Sequence, residues 1–236
     1  MSDSLNDPMG QAILDFAQTG SASDIIVSSD ICDDDTIPVH YLFRTYEEMP
    51  DLEQFALSKC QGKILDVGAG AGMHARYLQS KGFEVHAIDI SEKSVAFIKS
   101  QNIPVEQVNF FDLTSGNFDT ILMLMNGIGI AGTLENLDAT LLHAKKLVSK
   151  NGRIICDSSD IKYLYEDEDG GLWLDLNSTY YGNFRFQMKY GSHQSNWFDW
   201  LYADFEKLKE SAERTGWKAE KIVTKEDQYL AELTLL

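Results

Sequence analysis

The stretch Ile64-Leu65-Asp66-Val67-Gly68-Ala69-Gly70-Ala71-Gly72 constrains this chain more than any other. A short apolar run reads as a buried strand, three alternate glycines as a tight turn, and Met73–Ser80 as a helix leaving that turn. Glycine there lets the backbone take left-handed conformations and lets a ligand approach the main chain at the helix N-terminus. A tight turn with no ligand is the competing reading, and the strand–turn–helix context favours the ligand.

The surrounding sequence alternates strand and helix signals, the pattern of a parallel sheet with crossover helices. Strands are expected at Lys63–Val67, Glu84–Ile88, Val105–Phe110, Phe118–Met125 and Arg153–Cys156. Ser91 caps a helix running to Gln101, and Thr133 caps a longer one stopped by Asn151-Gly152. Past Asp157 the rhythm changes. Tyr180–Tyr190 and Ser195–Leu201 alternate aromatic and polar residues around a turn, so a hairpin added to the main sheet is expected. A helix over Asp204–Thr215 and antiparallel strands Trp217–Thr224 and Gln228–Leu235 complete the pattern. Residues 1–57 form an N-terminal arm, helical near Gln11–Gln18, and residues 58–236 the main domain with an insertion at about 158–201.

The glycine turn resembles the first motif of class I S-adenosylmethionine-dependent methyltransferases, and the resemblance extends in order through most of Lys63–Leu235. It implies a Rossmann-like, doubly wound α/β fold. The sheet would be mostly parallel and seven-stranded with an antiparallel C-terminal hairpin, extended by the extra hairpin and the arm. The implied cofactor is S-adenosyl-L-methionine, with Gly68, Ala69 and Gly70 wrapping its methionine portion and Asp66 positioning its ammonium. Asp89, at the end of the second strand, is implied to take the ribose hydroxyls, with Ile90 against the adenosine. Asp112 is implied to accept from the adenine amino group while the N–H of Leu113 meets a ring nitrogen.

Other readings remain beside this one. A nicotinamide or flavin dinucleotide also sits on such a turn, but Met73 stands where that spacing requires a small residue. A non-catalytic binding module on the same fold is a third possibility, since fold alone does not separate it from an enzyme.

In the resembling family the end of the fourth strand lies beside the transferring methyl. Here it reads Met123-Leu124-Met125-Asn126-Gly127, with Met125 bordering the cofactor and Asn126 a candidate for cofactor contact or catalysis. It departs from the Asn-Pro-Pro-aromatic signature of members that methylate nucleic-acid and protein amides. Asp157 at the next strand end is a second catalytic candidate, and His40 in the arm a third. Arg44 pairs either with the cofactor's carboxylate or with nearby acids. The aromatics Tyr180, Tyr181, Phe184, Phe186, Tyr190, Trp197, Phe198 and Trp200 either shape an acceptor pocket or merely cover the sheet.

Composition bounds the partners. With 236 residues, 44% of them hydrophobic, the chain supports one sizeable core. A net charge of −17 repels polyphosphate, so neither nucleic acid nor an anionic membrane is expected, and the acceptor is expected to be a small molecule. The acidic runs Asp33-Asp34-Asp35 and Glu166-Asp167-Glu168-Asp169 read as solvated loops. Cys32, Cys60 and Cys156 lack ligand spacing, so no metal is expected and the thiols are reduced. Without an apolar leader or a membrane-length run, the expected location is cytoplasmic.

Overall fold

The computed structural model describes residues 6–165, 167 and 179–236. Helix α1 (Pro8–Thr19) is followed by β1 (Ile25–Ser29), β2 (Asp35–Ile37), two 3₁₀ turns and α2 (Asp51–Lys59). The central alternation is β3 (Lys63–Val67), α3 (Met73–Ser80), β4 (Glu84–Asp89), α4 (Glu92–Ser100), β5 (Val105–Gln107), β6 (Phe118–Met123), α5 (Leu134–Leu147) and β7 (Val148–Ser159). Then come β8 (Asn183–Tyr190), β9 (His193–Gln194), β10 (Phe198–Leu201), α6 (Phe205–Thr215), β11 (Trp217–Lys225) and β12 (Gln228–Leu235).

The main sheet has seven strands in the order β11-β12-β7-β6-β3-β4-β5. Strands β3 to β7 pair in parallel, while β12 runs antiparallel to both β7 and β11. This is the Rossmann-like arrangement expected from the sequence. Both faces of the sheet are covered, so its central strands carry fully buried Ile64, Leu65, Ile121, Leu122, Ile154 and Ile155. Burying each such side chain contributes about 1.5–3 kcal/mol.

Two local expectations are corrected. Asn151-Gly152 does not separate helix from strand: β7 already starts at Val148, and its pairing with β6 jumps from Phe118↔Val148 to Thr120↔Arg153. The extra residues are accommodated as a bulge, where a β-carbon on Gly152 would meet the Phe118 carbonyl at 2.6 Å. Thr133 occupies the N-cap position of α5, but the Leu134 N–H donates to Asn183 Oδ1 of β8 at 2.9 Å instead.

The aromatic hairpin does not join the main sheet. Its strands belong to a second, antiparallel sheet of order β10-β8-β1-β2, with β9 on β8, and the arm supplies two of those strands. Main-chain hydrogen bonding between β1 and β8 satisfies an edge that the hairpin alone would leave open. Helix α1, capped by Asp7 through the Gly10 N–H at 2.8 Å, anchors the same arm to the main domain. Ser91 Oγ donates to Asp7 Oδ2 at 2.7 Å, and a β-carbon on Gly10 would overlap Ser91 Oγ, so only glycine permits this approach. The second acidic run falls largely outside the described residues.

Candidate active site

Strand order reverses between β3 and β6, and open α/β sheets bind ligands in the crevice at such a reversal. A cavity of about 920 Å³ lies there, between the carboxyl ends of the strands, the arm and the second sheet. The glycine turn forms its floor. Gly68, Gly70 and Gly72 all have positive φ, at 69°, 57° and 76°. Added β-carbons on Gly68 and Gly70 would meet nothing within 4 Å, so those two face open space. One on Gly72 would meet Ile98 Cγ1 at 2.9 Å, so the third glycine serves the packing of α4.

At one end of the cavity lie Asp66 and Arg44, 3% and 9% exposed. Arg44 rests on the Tyr41 ring at 3.3 Å from its centroid. Its Nε donates to the Tyr41 carbonyl at 2.7 Å and its Nη2 to Glu53 Oε1 at 3.0 Å. His74 Nε2 lies 2.9 Å from Glu53 Oε2. Burial alone would raise the Glu53 carboxyl, but the hydrogen bond and charge of His74 and the Arg44 guanidinium outweigh it and hold it below its ordinary value. Burial would likewise lower His74, but Glu53 and the charge of Asp66 hold it above its ordinary value. Burial pushes Asp66 up, against the His74 charge and the Ala75 N–H. Two polar atoms here have no partner among the described residues: Arg44 Nη1 and Asp66 Oδ2.

Asp89 also lines the cavity, and its carboxylate is already engaged. Oδ2 accepts the Gly70 N–H and Oδ1 the Ser91 N–H, each at 2.8 Å. Burial raises this carboxyl; the two N–H bonds pull it back, and neighbouring Asp7 and Asp66 add to the rise. Beyond it Ile90 is 71% exposed and Phe111 43%, two apolar side chains left uncovered where the sheet ends. Asp112 stands in the 3₁₀ turn Phe110–Asp112 and Leu113 just after it, both outside the lining of the cavity.

At the end of β6, Met125 and Asn126 both take left-handed conformations, φ 61° and 56°. Such a pair of non-glycine residues persists only where its surroundings hold it. The holding groups are plain. Asp157 Oδ1 accepts the Asn126 N–H at 2.9 Å, Ser158 Oγ donates to Asn126 Oδ1 at 2.7 Å, and Asn126 Nδ2 donates to the Leu201 carbonyl at 3.1 Å. Asn126 therefore ties β6, β7 and β10 together, its amide engaged at both ends. Burial pushes Asp157 up to about 7, although it accepts N–H groups from Asn126 and Gly127. His40, exposed on the 3₁₀ turn Val39–Phe43, does not line the cavity.

The remaining wall is one face of the second sheet. Residues two apart on a strand share a face, and Phe184, Phe186 and Met188 of β8, with Phe198 and Trp200 of β10, all face the cavity. Tyr180 and Tyr181 instead donate to Asp204, Tyr190 donates to Asp15, and Trp197 lies beside Arg185. Sequence reasoning passed over Glu53 and the cavity-facing Val27 and Ser29, and read His74 as a helix histidine with no favoured role. Only His74 carried a local signal, directly after Met73 in the helix that leaves the glycine turn.

Sheet order, glycine turn and acids at successive strand ends define a Rossmann-like fold with a ligand site at its switch point. A family model described as a methyltransferase domain matches residues 39–218. The chain belongs to this family: it is a class I methyltransferase dependent on S-adenosylmethionine. A SAM-dependent methyltransferase from Bacteroides fragilis, solved in complex with S-adenosyl-L-homocysteine, is 48% identical, with a TM-score of 0.92 over 98% of this chain and 96% of that one. An uncharacterized methyltransferase from Staphylococcus carnosus is 31% identical over 160 residues, 59% of this chain and 71% of its own length. The CcbJ methyltransferase from Streptomyces caelestis, 15% identical with a TM-score of 0.60, shares the fold alone. Family membership sets aside the dinucleotide oxidoreductase. No helix among the described residues is long and apolar enough to cross a membrane.

Proposed function

We propose that the amino-acid end of S-adenosylmethionine lies between Asp66 and Arg44, and that its methyl group goes to a small molecule seated against the second sheet. The observation that carries this is the unpartnered pair. Asp66 and Arg44 both line the cavity, each has one buried polar atom without a hydrogen-bond partner among the described residues, and an α-amino acid offers an ammonium to the carboxylate and a carboxylate to the guanidinium. Asp89 keeps lone pairs for ribose hydroxyls while holding the glycine turn. Exposed Ile90 and Phe111 offer apolar surface to the adenine, with Asp112 at its edge, while the Leu113 N–H already donates to the Phe110 carbonyl at 3.3 Å.

When bound, the cofactor supplies a methyl carbon activated by the adjoining sulfonium. The protein's part is to align the acceptor behind that carbon and to exclude water. Asn126 fixes the strand end that borders the reaction, and the aromatic wall keeps it dry.

Calorimetry on the purified chain tests this reading. S-adenosylhomocysteine should bind with NAD giving no heat, and Asp66→Asn should weaken S-adenosylhomocysteine at least tenfold. NAD binding more tightly, or wild-type affinity in the folded variant, would overturn it.

A further inference from the structure

The cavity has two chemically different ends. The donor end holds Asp66, Arg44 and His74, and its partnerless buried atoms mark it as a ligand site. The far end is walled by aromatic rings of the second sheet, among them Phe186, Phe198 and Trp200. Phe186 and Phe198 are cross-strand partners, with ring centroids 6.4 Å apart. That spacing leaves π-faces and edges on a surface broad enough for a ring system.

The charge lining is one-sided. Asp33 and Asp34 of the β1–β2 turn and Asp35 at the start of β2 line the cavity, and no lysine or arginine bridges them among the described residues. Arg44, the one lysine or arginine among the described lining residues, is committed to Glu53 at the other end. A carboxylate or phosphate on an acceptor would enter past three acids and find no free cation. An ammonium would meet those acids and the π-faces, both of which attract it.

Resting on the donor-site reading above, we propose that the acceptor is a ring-bearing apolar small molecule carrying a basic amine. Its ring lies against the aromatic wall and its ammonium is drawn by the acidic β1–β2 turn.

Three indoles of matched ring size but different charge test this: tryptamine, tryptophol and indole-3-propionate, titrated into the S-adenosylhomocysteine complex of the full chain. Tryptamine should bind at least tenfold more tightly than indole-3-propionate, with tryptophol between them. The preference should shrink as salt is raised. The Asp33→Asn, Asp34→Asn, Asp35→Asn variant should lose the preference while keeping its affinity for tryptophol. Equal binding of the three, a preference for the anion, or no binding of any at millimolar concentration overturns the proposal. Because S-adenosylhomocysteine binding is measured first, its failure would count against the donor site, and its success with no charge preference against the acceptor class alone.

Discussion

Gly129 and Trp200 are packed so closely that a β-carbon on the glycine would overlap the indole ring. Gly129 lies in the 3₁₀ turn Gly127–Ala131 after β6, and Trp200 lies on β10 of the second sheet, facing the cavity. The absence of a side chain at 129 therefore sets how far the aromatic wall stands back from the turn after β6. Gly129→Ala should push the indole toward the cavity. Overpacking of this kind costs about 1–3 kcal/mol, which at a few degrees per kcal/mol lowers Tm measurably. Affinity for S-adenosylhomocysteine should stay within about twofold, since the donor end is not touched. An unchanged Tm and unchanged tryptophan emission would mean that Trp200 does not depend on this seat.

Arg44 pairs with Glu53, and the proposed donor site gives it a second task; its variants separate the two. Arg44→Ala leaves Glu53 buried with only His74 as partner, so stability should fall by about 3–5 kcal/mol, as expected when half of a buried pair is removed. Arg44→Lys keeps the charge but cannot serve Glu53 and a ligand carboxylate together. It should retain more stability and still lose S-adenosylhomocysteine affinity about tenfold, a change of ~1.4 kcal/mol. Denaturant titration and calorimetry on both variants check this. Wild-type affinity in the lysine variant would leave Arg44 a purely structural partner of Glu53.

Asp89 is where the structure changes an expectation most. From the sequence it looked free for the ligand, so that Asp89→Ala would leave the empty protein's stability intact. Both of its oxygens instead accept backbone N–H groups, from Gly70 and Ser91. Losing them strands two partly buried donors, at about 1–3 kcal/mol each before water compensates. Asp89→Ala should therefore lower both S-adenosylhomocysteine affinity, at least tenfold, and apo stability. Thermal denaturation without ligand decides between the two views: an unchanged Tm would restore the ligand-only role.

What was legible followed locality. The parallel sheet could be read because each βα unit carries its own signals: apolar runs, a Ser91 cap, glycines with positive φ. The second sheet could not, because its register pairs Ile26 with Lys189 and Ser29 with Phe186, contacts between the arm and the insertion that no local pattern announces. The aromatic alternation of β8 announced a strand and its hairpin partner β10, but not its other neighbour β1. Arg44 and Glu53 likewise meet through the folding of the arm and α2, so the sequence left two partners open and the structure shows the acid. Removing the arm through Arg44 would take both β1 and β2 away and leave the edge of β8 unpaired, so that truncation perturbs the second sheet as well as Arg44's end of the cavity.

Asp157 carries a pH dependence whose sign follows from its burial. The carboxyl is pushed up to about 7 because it is buried beneath the Asn126 turn, where backbone N–H groups pull it back and the Glu53 charge adds to the rise. In the unfolded chain it releases its proton near pH 4, so between about 4 and about 7 the native state holds a proton that the unfolded state has lost. The Asp157 contribution therefore falls as pH rises through that window and levels off above it, by on the order of a few kcal/mol in all. Asp157→Asn removes the titration. It also loses an acceptor for one N–H, but that cost does not vary with pH. Urea unfolding of both proteins at pH 5, 6, 7 and 8 should show the variant gaining on the wild type as pH rises, with the gap constant above 7. A gap that stays flat across the series would mean that Asp157 ionises normally and that the Asn126 turn is held by a full carboxylate throughout.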